Sequence, residues 1–428
     1  MLSSRKCLPN LPSNYSAEKC SCRPRNIMNA TSIDVFALQL KNRSTAVQIV
    51  ESFFLLLINF TSFSGNLLLG ISVIKNPNLR RTVPNMYIIT LAVSDFLMSL
   101  LGIPFSLASL MTGKWPFNNF ICQLQGFWIL LMCAVSLQTL AVTAVNRYFR
   151  VVRSRASYQR IFSMKKTKIT IAILWVMALF APLPYVVAGH KFFFHTGKVF
   201  CAHNAESLYE GYGAYLVLVY VAIPLIIIIT CYTRVFIAVR KHNLNFRFRI
   251  RQRSTNNTTR NNTSLDSSGV LSVEEVNVTY ILLVVVISFL TCWTPVLIID
   301  MIDFTNGDWK LKRQVYVSYT CFGFASTALN PIIYGIMNRT FRTEYFKIFS
   351  SVKRFVLGSN TNVQIAPAVI EIAWAEIREA SNHFYGKPSK RGERGRDGRH
   401  TFINVPDDNK LQHNSTEKKK VLAKFAWR

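Results

Sequence analysis

Acidic residues are scarce in this sequence: 21 Asp and Glu stand against 50 Lys and Arg, which leaves a formal net charge of +29. Such a surplus of cations is typical of proteins that bind nucleic acid or an anionic membrane surface. The cations lie between apolar blocks of membrane-spanning length, which a nucleic-acid-binding protein has no reason to carry. We therefore expect membrane lipids of the anionic inner leaflet as partners, and no nucleic acid.

Other features are also missing. The segment 1–16 has no apolar run of leader length, so the first spanning helix is expected to direct insertion itself. The nine cysteines include no CxxC pair and no Cys/His cluster with zinc spacing. The absence of an internal repeat argues against an inverted-repeat transporter. We expect no cofactor, apart from an allosteric sodium ion considered below.

Seven apolar blocks have the length that crosses the hydrocarbon core of a bilayer, about 20 residues. Prolines and glycines interrupt several blocks, which spanning helices tolerate. The predicted fold is therefore an all-α membrane protein with a bundle of seven transmembrane helices. These helices, numbered one to seven, are predicted at 47–74, 86–111, 122–149, 169–188, 212–239, 276–302 and 315–337.

A short eighth helix is predicted after helix seven, at 338–350. Its apolar side comprises Phe341, Tyr345, Ile348 and Phe349. A helix with one apolar side and basic residues elsewhere lies at a membrane interface. The predicted domains are an extracellular arm (1–46), a seven-helix domain with helix eight (47–350) and a basic, disordered cytoplasmic tail (351–428).

The loops after helices one, three and five are rich in Lys and Arg, and the alternate loops are poorer. The positive-inside rule then predicts a multi-pass plasma-membrane protein with its N-terminus extracellular and its C-terminus cytoplasmic. Sequons in the arm predict glycosylation at Asn14, Asn29 and Asn42. The fifth loop concentrates Ser and Thr within 254–268. Phosphates there would give arrestin an anionic patch, and a plain polar linker is the alternative.

Two cysteines lie on the predicted outer side of the bundle. Cys122 stands at the mouth of helix three, and Cys201 stands in the long loop between helices four and five. Because both face the oxidising side, we expect a disulfide that pins this loop over the bundle mouth. The arm holds three more cysteines, Cys7, Cys20 and Cys22, so at least one of them lacks a partner there.

Polar groups inside spanning helices are costly and are therefore candidates for function. For Asn66 and Asn330 a purely structural role is an equally good interpretation, because interhelical hydrogen bonds that only hold a bundle together are common. Asp95 differs because a buried carboxylate must be protonated or paired with a cation. Together with Ser136 and Asn330, it is a candidate for an oxygen-lined sodium site.

Helix three carries one stripe that runs from apolar Ile129, through polar Ser136, to Arg147 at the cytosolic border. One interpretation of Arg147 is a side chain that snorkels to the interface. The other is a latch that engages helix six or a partner. Because the adjacent Asn146 is neutral, the latch is expected to depend on Glu275 at the inner end of helix six.

Helix six combines Phe289 and Trp293 on the same face with Pro295. A proline frees a backbone carbonyl and weakens the helix, so the inner half can swing about it. Considered alone, Trp293 is better interpreted as an ordinary packed side chain. Helix seven contains a second such break, in the motif NPIIY, whose key members are Asn330, Pro331 and Tyr334.

A mostly apolar and aromatic ligand pocket is predicted in the outer half of the bundle, from the shared facing of residues on four helices. Asp300, on helix six, could pair with a cationic ligand. The predicted lining comprises Gln125, Ile129, Leu130, Cys133, Leu216, Tyr220, Phe289, Trp293, Asp300, Tyr316, Thr320 and Phe324.

As a set, these residues resemble the rhodopsin-like G-protein-coupled receptors over 47–349. The resemblance rests on Gly65-Asn66, LAVSD ending at Asp95, Cys122 with Cys201, the triplet Asn146-Arg147-Tyr148, Trp175, Pro224 with Tyr232, CWTP ending at Pro295, and NPIIY ending at Tyr334. The resemblance implies extracellular ligand binding, movement of helix six and activation of a heterotrimeric G protein inside the cell. It implies no enzyme activity.

Within that family the chain most resembles melatonin-like receptors, partly through Asn146 in place of the usual aspartate. Two departures argue against melatonin itself: Tyr220 replaces a pocket histidine, and Tyr185 replaces an asparagine. Ile129 stands where amine receptors have an aspartate, and Phe324 stands where opsins have the retinal lysine. The ligand is therefore left open.

Proteins of other classes fit the sequence less well. A channel or transporter should show rings of charge along a pore. An enzyme would need a nucleophile and base inside the membrane, but His190, His195, His203 and His242 all stand in loops. A seven-helix binding receptor that does not signal is the alternative function.

Overall fold

The computed structural model describes residues 32–203, 211–255, 273–306 and 309–357. The sequons at Asn14 and Asn29, the three arm cysteines, most of the Ser/Thr-rich part of the fifth loop and residues 358–428 lie outside the described residues. The described part is almost entirely helical, so the predicted all-α class is confirmed.

Within the described residues seven long helices form the bundle, in the order the sequence predicts. Six of them are long and apolar enough to cross a membrane by length and composition. Helix seven is more polar, because it contains tyrosine, threonine and asparagine side chains. These side chains are buried inside the bundle. In chain order the helices are Thr45–Lys75; Val83–Leu101 with Ile103–Thr112; Asn119–Val151; Met164–Leu179 with Leu183–Val187; Gly211–Tyr215, Leu216–Ala222 and Ile223–Thr255; Val273–Asn306; and Arg313–Met337.

Helix five departs from α geometry over Leu216–Ala222, which forms a π-helix. Pro224 follows this segment and has no N–H to donate to the carbonyl of Tyr220, so a wider turn costs little there. A residue in a π turn advances by less than 100° around the axis. The facing that the sequence predicted for Leu216 and Tyr220 assumed regular α geometry, and the π segment shifts both residues relative to that prediction.

Helices one and seven approach closely at Gly65. A Cβ at that position would lie 2.6 Å from Cγ of Pro331, so only glycine fits. One residue on, the Asn66 amide donates to the carbonyls of Ser62 at 2.8 Å and Thr327 at 2.9 Å. These bonds join the two helices, so the structural interpretation of Asn66 is supported.

A two-stranded antiparallel hairpin connects helices four and five. Strand β1 is Phe193–His195 and strand β2 is Phe200–Ala202, with Phe193 opposite Ala202. We call Phe193–Ala202 the outer hairpin and the end of the bundle that carries it the outer end. The opposite, inner end carries helix eight.

The structure extends the prediction at both ends of the bundle. The arm contains a helix, Ser32–Lys41, whose Phe36 and Leu40 are buried against the outer end of the bundle. The spacing i, i+4 of these apolar residues was a signal for it. Helix eight, Arg339–Leu357, runs seven residues beyond the predicted end at 350. It is anchored by Phe341, which is fully buried with its ring centroid 5.7 Å from that of Tyr334.

Candidate functional site

A disulfide between Cys122 and Cys201 ties the outer hairpin to helix three, with Cα atoms 5.4 Å apart. The predicted pairing is confirmed. Gln125, one turn further along helix three, braces it: its Oε1 accepts the N–H of Cys201 at 3.0 Å, and its Nε2 donates to the carbonyl of Gly102 at 2.9 Å. The Gln125 side chain is therefore part of the scaffold and does not face the predicted pocket.

The outer hairpin is fixed over the bundle from several sides. Phe192 lies so close to helix three that a Cβ on Gly126 would be 2.4 Å from its Cγ. Val199, in the turn, has a φ of 59°, which is uncommon for a β-branched residue. The Thr320 hydroxyl of helix seven donates to the carbonyl of Lys198. The hairpin therefore acts as a rigid cover.

Lys198 of the outer hairpin forms an ion-pair cluster with helix six. Its Nζ lies 3.0 Å from Oδ1 of Asp300 and 3.7 Å from Oδ2 of Asp303. It also lies 4.3 Å from the ring centroid of Tyr319, within cation–π range. The sequence suggested that Asp300 could bind a cationic ligand. In the structure Lys198 occupies that place.

His195 supports the turn that presents Lys198. Its Nδ1 accepts the N–H of Lys198 at 3.0 Å, and the rings of Phe36, Trp309 and Tyr316 surround it. Burial, helped by the nearby charge of Lys198, lowers the pKa of His195 to about 3. The imidazole is thus neutral at physiological pH and keeps its acceptor nitrogen for the turn.

Beneath the hairpin lies a narrow cavity that is partly open. Predicted pocket residues that line it are Ile129, Cys133, Phe289, Trp293, Thr320 and Phe324. Sequence analysis missed Met98, Met132, Phe200, Val296, Tyr319, Gly323, Ser326 and Thr327. The position of Phe200 beside Cys201 was a signal for the loop residue, since the disulfide holds that segment over the cavity.

The other predicted pocket residues lie elsewhere. Leu130 and Leu216 pack in the cluster under the disulfide. The Tyr220 hydroxyl donates to the carbonyl of Met177 at 2.8 Å, and the Tyr316 hydroxyl donates to Asp303 at 2.6 Å. Gln125 and Asp300 are engaged as described above. The predicted pocket is thus split between the cavity wall and its scaffold.

Two of the three residues predicted to hold sodium lie at the floor of the cavity. Asp95 and Ser136 both line it, and Asp95 is buried. The amide of Asn330 donates to Oδ2 of Asp95 at 2.7 Å, and the hydroxyls of Ser136 and Ser94 are 3.1 Å apart. The structure therefore brings one carboxylate, one amide and two hydroxyls together, an oxygen-rich donor set that suits a hard cation.

At the inner end, Arg147 is buried with its Nη1 3.8 Å from Oε2 of Glu275. The other carboxylate oxygen of Glu275 accepts two hydrogen bonds from Arg150, at 2.5 and 2.8 Å. Asn146 donates to the hydroxyl of Tyr158 at 3.3 Å. Glu275 is therefore shared between two arginines. The sequence predicted Arg147 and missed Arg150, which lies one turn further along the same helix.

The remaining predicted switch residues lie between these two ends. Trp293 stacks on Phe289 with ring centroids 5.5 Å apart, and its Nε1 donates to the Ser326 hydroxyl at 3.3 Å. Tyr232 and Tyr334 are both buried in the inner half of the core. Tyr148 is only half-buried and, although it belongs to the predicted triplet, its ring contacts Phe149 and the guanidinium of Arg153.

Comparisons with known proteins agree with this architecture. Residues 65–334 match the family model of the 7 transmembrane receptor (rhodopsin family). The chain is 26% identical to the melatonin receptor type 1A of Ovis aries over 305 residues, which cover 70% of this chain and 78% of the relative. It is 28% identical to the D(1A) dopamine receptor of Didelphis virginiana over 353 residues, or 76% and 77% of the two chains.

A solved structure has the same fold. The crystal structure of squid rhodopsin superposes with a TM-score of 0.61 at 22% identity, covering 72% of this chain and 87% of that one. The family match alone spans more than half of the chain and includes all the motifs described above. The protein belongs to the rhodopsin family of seven-transmembrane receptors and, within it, resembles the melatonin receptors.

Proposed function

We propose that this receptor binds a small, neutral, largely apolar ligand from the extracellular side and activates a heterotrimeric G protein through movement of helix six. The observation that carries the proposal is the pairing of Lys198 with Asp300 and Asp303 above an apolar cavity. A cationic ligand would first have to displace Lys198. An uncharged ligand leaves the ion pairs of Lys198 intact and avoids the cost of breaking them.

Melatonin itself fits this cavity poorly, although several relatives carry its name. Tyr220 and Tyr185 stand where the resemblance placed a histidine and an asparagine for ligand recognition. Their hydroxyls donate to the carbonyls of Met177 and Lys191, at 2.8 and 2.9 Å, and neither residue lines the cavity. We therefore propose a ligand held by ring and methyl contacts, with the Thr320 and Ser326 hydroxyls as polar contacts.

The signalling step follows from the path between cavity and inner end. A ligand that displaces Trp293 acts on helix six one turn from Phe289 and next to the weak point at Pro295. Swinging the inner half of the helix would withdraw Glu275 from Arg147 and open a binding surface for the G protein. Arrestin would bind at the same opened surface, and the phosphorylated fifth loop would provide an anionic contact for it. We place the hairpin end outside the plasma membrane, where a disulfide persists.

Filling the cavity tests where the ligand binds. Gly323 lines the cavity, and a Cβ there would meet no atom within 4 Å. Gly323→Leu is therefore expected to fold normally and to lose agonist binding and agonist response. Gly70→Leu is the matched control, since Gly70 has equal space on helix one and does not line the cavity. Radioligand or fluorescent-ligand binding on any agonist found by screening measures the effect. Full binding by Gly323→Leu would place the ligand elsewhere.

We also propose that Asp95, Ser136 and Asn330 hold an allosteric sodium ion. Agonist affinity should then differ between sodium chloride and a bulky organic chloride at equal ionic strength, because the ion lies in the same cavity as the ligand. In Asp95→Asn this difference should vanish. Ser99→Ala, on the same helix and outside the cavity, should keep it. A sodium effect that survives in Asp95→Asn would contradict the site.

A further inference from the structure

A groove on the outer end of the receptor lies outside the ligand cavity. It runs between the N-terminal ends of helices one and seven, and Ser44 and Lys312, the N-caps of those helices, both line it. Arg43 and Arg313 complete its basic wall. Among the described residues that line this groove none is acidic, so it presents a concentrated positive charge.

Within the described part of the chain, the carboxylate that pairs with these cations is that of Glu51, and it is already engaged. Arg313 binds Glu51 through both guanidinium ends, at 2.6 and 3.1 Å. Arg43 reaches the same carboxylate only through Nε, at 3.6 Å, and its Nη1 donates to the carbonyl of Leu40 at 2.5 Å. The side chain of Arg43 is 4% exposed, and its Nη2 has no hydrogen-bond partner within the described part of the chain. A buried cation so poorly paired is costly, and an external anion would relieve that cost.

The backbone adds to the positive electrostatic potential of the groove. Neither helix one nor helix seven has an acidic residue in its first turn. Helix one is capped by one long hydrogen bond, from the N–H of Val47 to the Ser44 hydroxyl at 3.4 Å, and the N-cap of helix seven makes no side-chain capping bond. Each helix N-terminus carries about half a positive charge on its unpaired N–H groups. Two such ends together with Arg43 and Lys312 favour a group with several oxygens and a negative charge.

We propose that this groove binds a phosphate-type oxyanion, chiefly the headgroup of an outer-leaflet lipid. The lipid source is favoured because two apolar residues, Leu38 at 60% and Val47 at 37% exposure, also line the groove. Exposed Ile49 and Val50 continue from them along helix one. A lipid could place its phosphate among the cations and its chains along this apolar surface.

Full-length receptor in nanodiscs tests the proposal, with Asn42→Gln in every variant because this sequon residue lines the groove. Three conditions distinguish the anion sources: phosphatidylcholine alone, phosphatidylcholine with phosphatidylglycerol, and phosphatidylcholine with added pyrophosphate. The readouts are the thermal midpoint and the phosphatidylglycerol retained in native mass spectrometry. We expect phosphatidylglycerol to raise the midpoint. A rise with pyrophosphate as well would show that the site also accepts a soluble oxyanion.

Arg43→Gln should retain about tenfold less phosphatidylglycerol, a change of roughly 1.4 kcal/mol. Lys191→Gln removes the same charge from an exposed outer position outside the groove and should behave as wild type. If Arg43→Gln does not fold, Lys312→Gln serves instead, since Lys312 is exposed, and should show a smaller loss. Equal retention in the groove variants and in Lys191→Gln, or no response to any anion, would overturn the proposal.

Discussion

Replacing Cys122 by serine is expected to abolish surface expression or ligand binding. The disulfide to Cys201 closes a loop of 79 residues in sequence separation, and loss of such a link typically costs about 2–5 kcal/mol. The loss extends further here because Gln125 would no longer have the N–H of Cys201 in place. The outer hairpin would then detach from helix three, and Lys198 would leave its two aspartates.

Flow cytometry on intact cells measures surface expression, and ligand binding on the same cells measures function. Cys231→Ser is the control, because Cys231 is a free cysteine on helix five outside the cavity. Cys201→Ser should match Cys122→Ser, since both remove the same bond. Mass mapping that found Cys122 as a free thiol in folded, ligand-binding receptor would contradict the role assigned to the bond.

Replacing Glu275 by glutamine is expected to raise ligand-independent signalling by about tenfold, if the latch contributes roughly 1.4 kcal/mol to the inactive state. Glu275 forms an ion pair with buried Arg147, at 3.8 Å. The neighbouring Asn146 carries no charge and donates to Tyr158, so it restrains Arg147 little. Asn146→Asp should therefore lower basal signalling.

The structure adds a variant with the opposite expected effect. Arg150 makes shorter contacts to Glu275 than Arg147 does, at 2.5 and 2.8 Å. Arg150→Gln would release that carboxylate to Arg147 and should lower basal signalling. Glu274→Gln makes the same chemical change as Glu275→Gln at the adjacent position and is the matched control. Basal G-protein turnover that is unchanged in Glu275→Gln at equal surface expression would show that the two residues form no latch.

The fold could be read from the sequence because its signals are local or nearly so. Apolar runs of spanning length determine the number of helices. The prolines expected to interrupt helices six and seven, Pro295 and Pro331, lie inside those helices in the structure. The bond between Cys122 and Cys201 followed from the compartment that both cysteines face. Residues of the cavity wall on regular helices, such as Ile129 and Trp293, were found from periodicity.

The rest depends on contacts that periodicity does not describe. Lys198 was counted as a loop charge, and its pairing with Asp300 arises only when the disulfide folds the hairpin over the bundle. Tyr220 was placed by regular helical geometry, but it lies in a π segment and its hydroxyl donates to the carbonyl of Met177. Arg150 looked like one of many cytosolic cations, because nothing local marks which arginine reaches helix six.

The most direct test of the central claim is nucleotide exchange by heterotrimeric G proteins on the purified receptor in nanodiscs. A neutral agonist from a ligand screen is added to the wild type, to Gly323→Leu and to Gly70→Leu. The account predicts that the agonist accelerates exchange for the wild type and Gly70→Leu and has no effect on Gly323→Leu. An agonist that binds the cavity without accelerating exchange on any G protein would contradict the account and favour a binding receptor that does not signal.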